Sequence, residues 1–157
     1  MKQIRDMHIV EVFALGTVNE MMRFIREEYN TPDFNVKVRL DFNPRRNRSW
    51  GGKRNGQNFI SLAMTYLKTI QENHMAASFF EYASFANDPV IGSLHNVTWK
   101  KALAALIAHE IAHAAQYSEA TTSVMAAHNL NNSHVPAHGL VWKIIYKTLR
   151  TKYVNTL

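Results

Sequence analysis

The chain of 157 residues contains no cysteine and no long uninterrupted apolar run. The lack of cysteine excludes disulfides, cysteine-based zinc sites such as zinc ribbons, and a cysteine nucleophile. No stretch approaches the roughly 18 apolar residues that a transmembrane helix requires, so we expect no membrane contact. The N-terminal segment carries Asp6 and Glu11 and lacks a long apolar core, so we expect no signal peptide and a cytoplasmic protein.

Acidic residues are also scarce relative to basic ones. The sequence has 12 Asp and Glu against 18 Lys and Arg, which gives a formal net charge of +6. A basic surface favours a polyanionic partner such as nucleic acid, without establishing one. The length predicts one domain over residues 1–157.

The motif H-E-x-x-H at residues 109–113 lies in an alanine-rich stretch with helical periodicity. Thr98 is a suitable N-cap for a helix that runs from Trp99 to about Tyr117. Residues four apart share one helix face, so His109 and His113 can bind one zinc ion. Glu110 then reaches the space beside the metal, where a general base must stand to take a proton from the attacking water. A pair of surface histidines on an ordinary helix is the alternative interpretation.

A catalytic zinc site needs a third protein ligand and an open position. His138 is the preferred candidate, because it stands in His138-Gly139 at the start of a predicted last helix that has Pro136 in its first turn and runs to about Tyr153. His134 is the main competitor and is predicted to lie in the preceding loop.

The remaining pattern predicts an α+β fold, mostly helical, with a small antiparallel sheet beside the metal-binding helix. The capping box Thr17–Glu20 predicts the start of the first helix. Alternation over residues 36–42 and a run at 59–63 predict two strands, which most simply pair as a hairpin with a long basic loop. Residues from Met64 to about Asn87 are predicted to be helical, in one piece or in two pieces broken near Asn73.

The polar connection at residues 43–58 concentrates positive charge around an aromatic residue. Its candidate nucleic-acid-binding residues are Arg45, Arg46, Arg48, Trp50, Lys53 and Arg54. Cations beside an aromatic ring suit single-stranded nucleic acid, because they attract phosphate and offer a stacking surface. A solvated loop with its tryptophan tucked into the core is an equally simple interpretation.

H-E-x-x-H followed by H-G-x-x-W at residues 138–142 resembles the SprT-like zinc metalloproteases, which include the Spartan proteases of DNA–protein crosslinks. The resemblance covers about residues 18–152, which it implies to be the core of a single SprT-like domain, and it implies a zincin-like fold and Zn²⁺ as the cofactor. It also implies that His109, His113 and His138 are the zinc ligands and that Glu110 is the catalytic base. Unlike many members of that family, this chain has no cysteine-rich zinc ribbon.

Two hypotheses about function follow from these motifs. The first is a SprT-like zinc endopeptidase that acts on a protein or peptide substrate, with DNA-associated proteins as one substrate class. The alternative is a zinc-stabilised nucleic-acid-binding or adaptor protein without peptidase activity. A zinc peptidase for small or cell-wall peptides is a third option. Imidazole ligands would also suit manganese, cobalt or iron.

Overall fold

The computed structural model describes residues 6–130 and 136–157, and these residues form an α+β fold. Within those two ranges there are five α-helices, five strands and a π-helical turn. They run in the order α1 (Ile9–Glu28), β1 (Val36–Asp41), β2 (Trp50–Arg54), β3 (Gln57–Ala63), α2 (Thr65–Glu72), β4 (Ala77–Phe79), β5 (Leu94–Val97), α3 (Trp99–Gln116), α4 (Ala120–Ala127), α5 (Leu140–Leu149) and the turn Arg150–Val154. None of these helices combines the length and the apolar character needed to cross a membrane.

Helix α1 begins well before the position that its sequence predicts. The N-cap is His8, whose ring accepts a hydrogen bond from the Val10 N–H, while the Glu11 side chain accepts from the His8 N–H. The predicted capping box at Thr17–Glu20 lies inside the helix and caps nothing. The buried face, which already includes Val10 and Ala14, extends the helix toward the N-terminus.

The predicted hairpin between the first two strands is wrong, because β1 and β3 run parallel. The strand order is β1-β3-β2, and β2 pairs antiparallel with β3. The sheet is therefore mixed. Residues 43–58, predicted to be a loop, contain a strand and the true hairpin turn at Asn55 and Gly56. Both turn residues have positive φ, +52° and +76°, as the tight turn of a two-residue hairpin requires. The Asn-Gly pair was the sequence signal for this hairpin.

Strand β2 lies at the edge of this sheet and packs directly against helix α3. A β-carbon on Gly51 would collide with the backbone carbonyl of Glu110, so only glycine allows this close approach. From β3, the Asn58 side-chain amide donates to the Ala114 carbonyl at 2.9 Å. The sheet edge is thereby fixed beside the H-E-x-x-H segment.

The predicted helix over residues 64–87 is shorter than expected. Helix α2 ends at Glu72, and His74 with φ +53° turns the chain out of the helical path. Residues Ala77–Phe79 then form β4, which pairs antiparallel with β5. Both strands of this sheet also contact α3.

The last helix also begins later than predicted. Pro136 precedes α5 by four residues and lies in the turn that carries His138, not in the first helical turn. The helical path then continues through the π-helical turn to Val154, close to the predicted end. Helix α5 packs on α3 through Val141, Trp142 and Ile145, which are buried.

Candidate metal centre

Helix α3 carries His109, Glu110 and His113, and its prediction from sequence is confirmed. Thr98 is the N-cap and its side chain accepts a hydrogen bond from the Lys101 N–H at 3.2 Å. The helix is surrounded by α1, α5 and both sheets, so most of its length is buried. The two histidines and the glutamate are also buried, at 8%, 7% and 6% exposure. Such burial argues against the interpretation of the motif as surface histidines.

His138 reaches the same place from the turn before α5. The Gly139 N–H donates to the Pro136 carbonyl at 3.0 Å, which closes this turn. The Nε2 atoms of His138 and His113 are 2.9 Å apart. Two nitrogens that share a tetrahedral zinc ion at 2.0–2.1 Å would lie roughly 3.3 Å apart, a similar separation. The competing ligand candidate, His134, lies outside the described residues.

One ligand atom from each of His109, His113 and His138 lies within 4.8 Å of the other two. Three imidazoles in this arrangement could hold a transition-metal ion and leave a coordination position open. The indole of Trp142 packs against all three rings, with ring centroids 4.7–5.1 Å away. Its Nε1–H also donates to the His109 carbonyl at 3.2 Å. The residues present therefore fit a three-histidine metal site held by a rigid aromatic support.

The ring nitrogen Nδ1 of His109 is held by Glu81, which the sequence did not identify as a site residue. The His109 Nδ1 and Glu81 Oε1 atoms are 2.9 Å apart, and the carboxylate is fully buried. The Tyr146 hydroxyl donates to the same oxygen at 2.6 Å and accepts from Arg150 at 2.9 Å. A carboxylate acceptor keeps the proton of His109 on Nδ1, which leaves Nε2 free for a metal. No motif links Glu81 to a histidine 28 residues away.

His113 is oriented by Gln116 through a hydrogen bond of 2.9 Å from Nδ1 to the side-chain oxygen Oε1. The Gln116 amide nitrogen donates to the Pro136 carbonyl at 3.0 Å. One buried side chain thus orients a histidine on α3 and holds the turn that supplies His138. The spacing of three residues after His113 places Gln116 on the same helix face, which was the available sequence signal.

Burial shifts the ionisation of these groups. Burial lowers the pKa of His113 to about 3, although the Gln116 hydrogen bond opposes the shift. The pKa of His138 is also lowered, mainly by burial. Burial raises the pKa of Glu110 to about 7; a charge on His109 opposes this rise and Glu81 adds to it. His113 and His138 are therefore neutral near pH 7, which is the form that binds metal.

A cleft opens over the three histidines and Glu110. Residues 48–53 form one side of it, and Tyr82, Tyr117 and Ala137 line it as well. Tyr82 is 55% exposed, and Phe80 nearby is 73% exposed. The two tyrosines bring phenol groups to the cleft.

The six candidate nucleic-acid-binding residues do not form one patch. Arg48 and Lys53 line the cleft, while Arg45 is exposed and Arg46 pairs with Asp41 at 3.3 Å. Trp50 also contributes to the cleft wall, but its ring lies with Arg54 and Phe59 on the sheet face opposite to the one that Gly51 turns toward Glu110. There the Arg54 guanidinium lies 5.1 Å from the centroid of the Trp50 ring, and Trp50 is 38% exposed.

Replacing Glu81 with glutamine should weaken metal binding by about 10- to 100-fold, the usual cost of losing an outer partner of a histidine ligand. The amide keeps the shape of the side chain but removes the charge that makes His109 a stronger donor. Competition against a chromophoric chelator measures the affinity. Tyr146→Phe is the control, since it removes a bond to Glu81 without touching the hydrogen bond of His109, and its effect should be smaller. Equal affinities for wild type and Glu81→Gln would contradict this role.

Comparisons of the chain with protein-family models, with curated proteins and with solved structures gave no match in any of the three. The fold and the site therefore define the class: this is an α+β protein with three histidines that could bind a metal ion.

Proposed function

We propose that this protein is a zinc-dependent endopeptidase of the SprT-like type. The observation that supports the proposal best is the meeting of three imidazoles and the Glu110 carboxylate at the floor of one open cleft. A purely structural metal site is closed and needs no additional carboxylate, whereas a hydrolytic site needs an open position and a base. The resemblance of residues 109–113 and 138–142 to SprT-like proteases agrees with this choice.

The roles of the residues follow from their positions. Zinc held by His109, His113 and His138 would supply a Lewis acid for the scissile carbonyl and for the attacking water. Glu110, which lines the same cleft, would accept a proton from that water and deliver it to the leaving amine nitrogen. Tyr82 and Tyr117 are candidates to donate hydrogen bonds to the carbonyl oxygen as negative charge develops there.

Hydrolysis of fluorescently labelled casein tests the proposal. We expect the zinc-loaded protein to release labelled peptides, a chelator to stop the release, and added zinc to restore it. The His113→Ala protein should be inactive with or without zinc. Zinc-loaded wild type that cleaves neither casein nor a mixed peptide library, or full activity in His113→Ala, would refute the proposal.

The outer face of the three-stranded sheet favours nucleic-acid binding as a second candidate function. In the strand register, Lys37 and Arg39 of β1 lie beside Phe59 and Ser61 of β3. Trp50 and Arg54 of β2 lie on the same face of the sheet. Apart from the half-buried Phe59, the cations and aromatic rings of this face are exposed. The basic sheet face (Lys37, Arg39, Trp50, Arg54 and Phe59) therefore offers both cations and rings to a nucleic-acid strand.

Substitution of Arg39 by glutamate should weaken binding of a labelled oligothymidylate. The slope of the logarithm of the affinity against the logarithm of the salt concentration should also become shallower, by about one for each phosphate that the protein no longer contacts. Fluorescence anisotropy at several salt concentrations measures both quantities. Lys100→Glu is the matched control, because Lys100 is exposed on α3 away from this face. If wild type does not bind at low salt, or if both variants bind equally, this second function is excluded.

A further inference from the structure

The cleft over the histidines continues into a longer groove along helix α3 and forms one end of it. Its floor is one helix face, formed at spacings of three and four residues by Leu106, His109, Glu110, His113 and Tyr117. Three adjoining cavities of about 420, 300 and 420 Å³ follow this face. Neighbouring cavities share lining residues, so the α3 groove is continuous.

The end of the α3 groove nearest the start of the helix is mainly apolar, although Arg46, which pairs with Asp41, also lines it. Its lining includes Tyr66, Phe79, Phe80, Ala102 and Leu106. Phe80 is 73% exposed and Tyr66 is 51% exposed, so this end presents large apolar surfaces to solvent. Leu106 is three residues before His109 on the same face. The apolar end therefore reaches the histidine cluster through the middle cavity, which both Leu106 and His109 line.

The opposite end of the α3 groove is basic. Lys53 is exposed and lines the cavity around the histidines but neither of the other two, while the exposed Arg48 lines this cavity and the middle one. Glu110 is the one acidic residue among those that line this cavity in the described part of the chain. An acidic side chain bound here would meet two cations with little opposing charge.

We infer that the α3 groove selects peptides with a bulky apolar residue next to the scissile bond on the Leu106 side and an acidic residue on the Lys53 side. This inference rests on the proposed peptidase function and specifies its substrate class. The apolar end would take the side chain by desolvating it against Phe80 and Leu106, and the basic end would attract the acidic residue. The two ends of the α3 groove then determine which peptide bond of the substrate lies over the histidines and is cut.

Mass spectrometry of a peptide library digested by the zinc-loaded protein tests this inference. We expect cuts to occur beside Phe, Leu or Met, with Asp or Glu enriched across the scissile bond. Leu106→Trp, which fills the apolar end, should reduce the preference for bulky over small residues by about 10-fold or more. Phe80→Ser should act in the same direction. Met75→Ser is the matched control, because Met75 is 57% exposed but does not line the groove.

Lys53→Glu should reverse the preference at the basic end, so that Lys and Arg replace Asp and Glu at that position. Lys37→Glu is its control, since Lys37 lies on the outer sheet face. Hydrolysis without these preferences, or preferences that survive Leu106→Trp and Lys53→Glu unchanged, would overturn the inference and leave the peptidase proposal intact. A complete lack of hydrolysis by wild type would overturn both.

Discussion

Glu110→Gln protein is expected to bind zinc as wild type does and to lose about 10²- to 10⁴-fold in hydrolysis, the range that a general acid–base supplies. The amide has nearly the shape of the carboxylate, but it cannot accept a proton at neutral pH. Because Glu110 stands beside the histidines and is not one of them, metal affinity should be unchanged. Initial rates of casein hydrolysis and chelator competition measure the two properties separately.

The same substitution should stabilise the metal-free protein above pH 7. The pKa of Glu110 is raised from 4.5 to about 7 by burial, so the native state holds this proton more tightly than the unfolded chain does. The resulting stability is complete below about pH 4.5 and is lost as the pH rises through 7. The Glu110→Gln protein does not lose this stability. Its free energy of unfolding should therefore rise relative to that of wild type between pH 4.5 and 7, by about 3 kcal/mol in all.

Urea unfolding of chelator-treated protein at several pH values measures this difference. Glu27→Gln is the control, since Glu27 is exposed and its neutralisation should have little effect at any pH. A Glu110→Gln protein that hydrolyses casein at the wild-type rate would remove Glu110 from the mechanism. A variant that is no more stable at pH 8 than wild type would show that the carboxylate is solvated.

Trp142→Ala should lower the free energy of unfolding by about 3–5 kcal/mol, the usual cost of deleting a buried aromatic side chain. The Trp142 ring is fully buried and packs against His109, His113 and His138. The cavity left behind would also free the three rings to move, so metal affinity should fall together with stability. Urea unfolding and chelator competition on the same sample measure both effects.

Two further variants make this result specific. Trp142→Phe keeps most of the apolar contact and loses the Nε1–H bond to the His109 carbonyl, so it should cost less than alanine. Trp99→Ala should also cost less, because Trp99 is half-buried and lies far from the histidines along α3. If Trp142→Ala unfolds within 1 kcal/mol of wild type (an amount about a third of the lowest expected cost), the indole does not support the site.

Local patterns predicted the helix that carries the motif, whereas the choice of His138 as the third histidine came from its place before the last helix and from the family resemblance. The N-cap at Thr98, the alanine-rich run and the spacing of His109 and His113 all act within a few residues, so sequence alone reports them. The α+β class followed for the same reason. The start of α1 was missed because Thr17–Glu20 matches a capping box inside a helix that packing extends to Ile9.

Long-range pairing was not predictable in the same way. Strands β1 and β3 run parallel because β2 inserts between them in sequence and pairs on the other edge of β3. Alternation of side chains fixes which residues face the core, but it does not fix which strand is the neighbour. Glu81 was missed for a similar reason, since only the folded chain brings it to His109. The contact of Arg150, which is 2% exposed, with Tyr146 is likewise a property of the folded chain.

Metal content per chain, measured by elemental mass spectrometry after zinc loading and gel filtration, tests the three-histidine centre most directly. Wild type should retain about one zinc ion per chain, as a single site with three protein ligands requires. His138→Ala, which removes one of the three ligands without touching α3, should retain far less under the same conditions. One tightly held ion in His138→Ala, or none in wild type, would contradict the account.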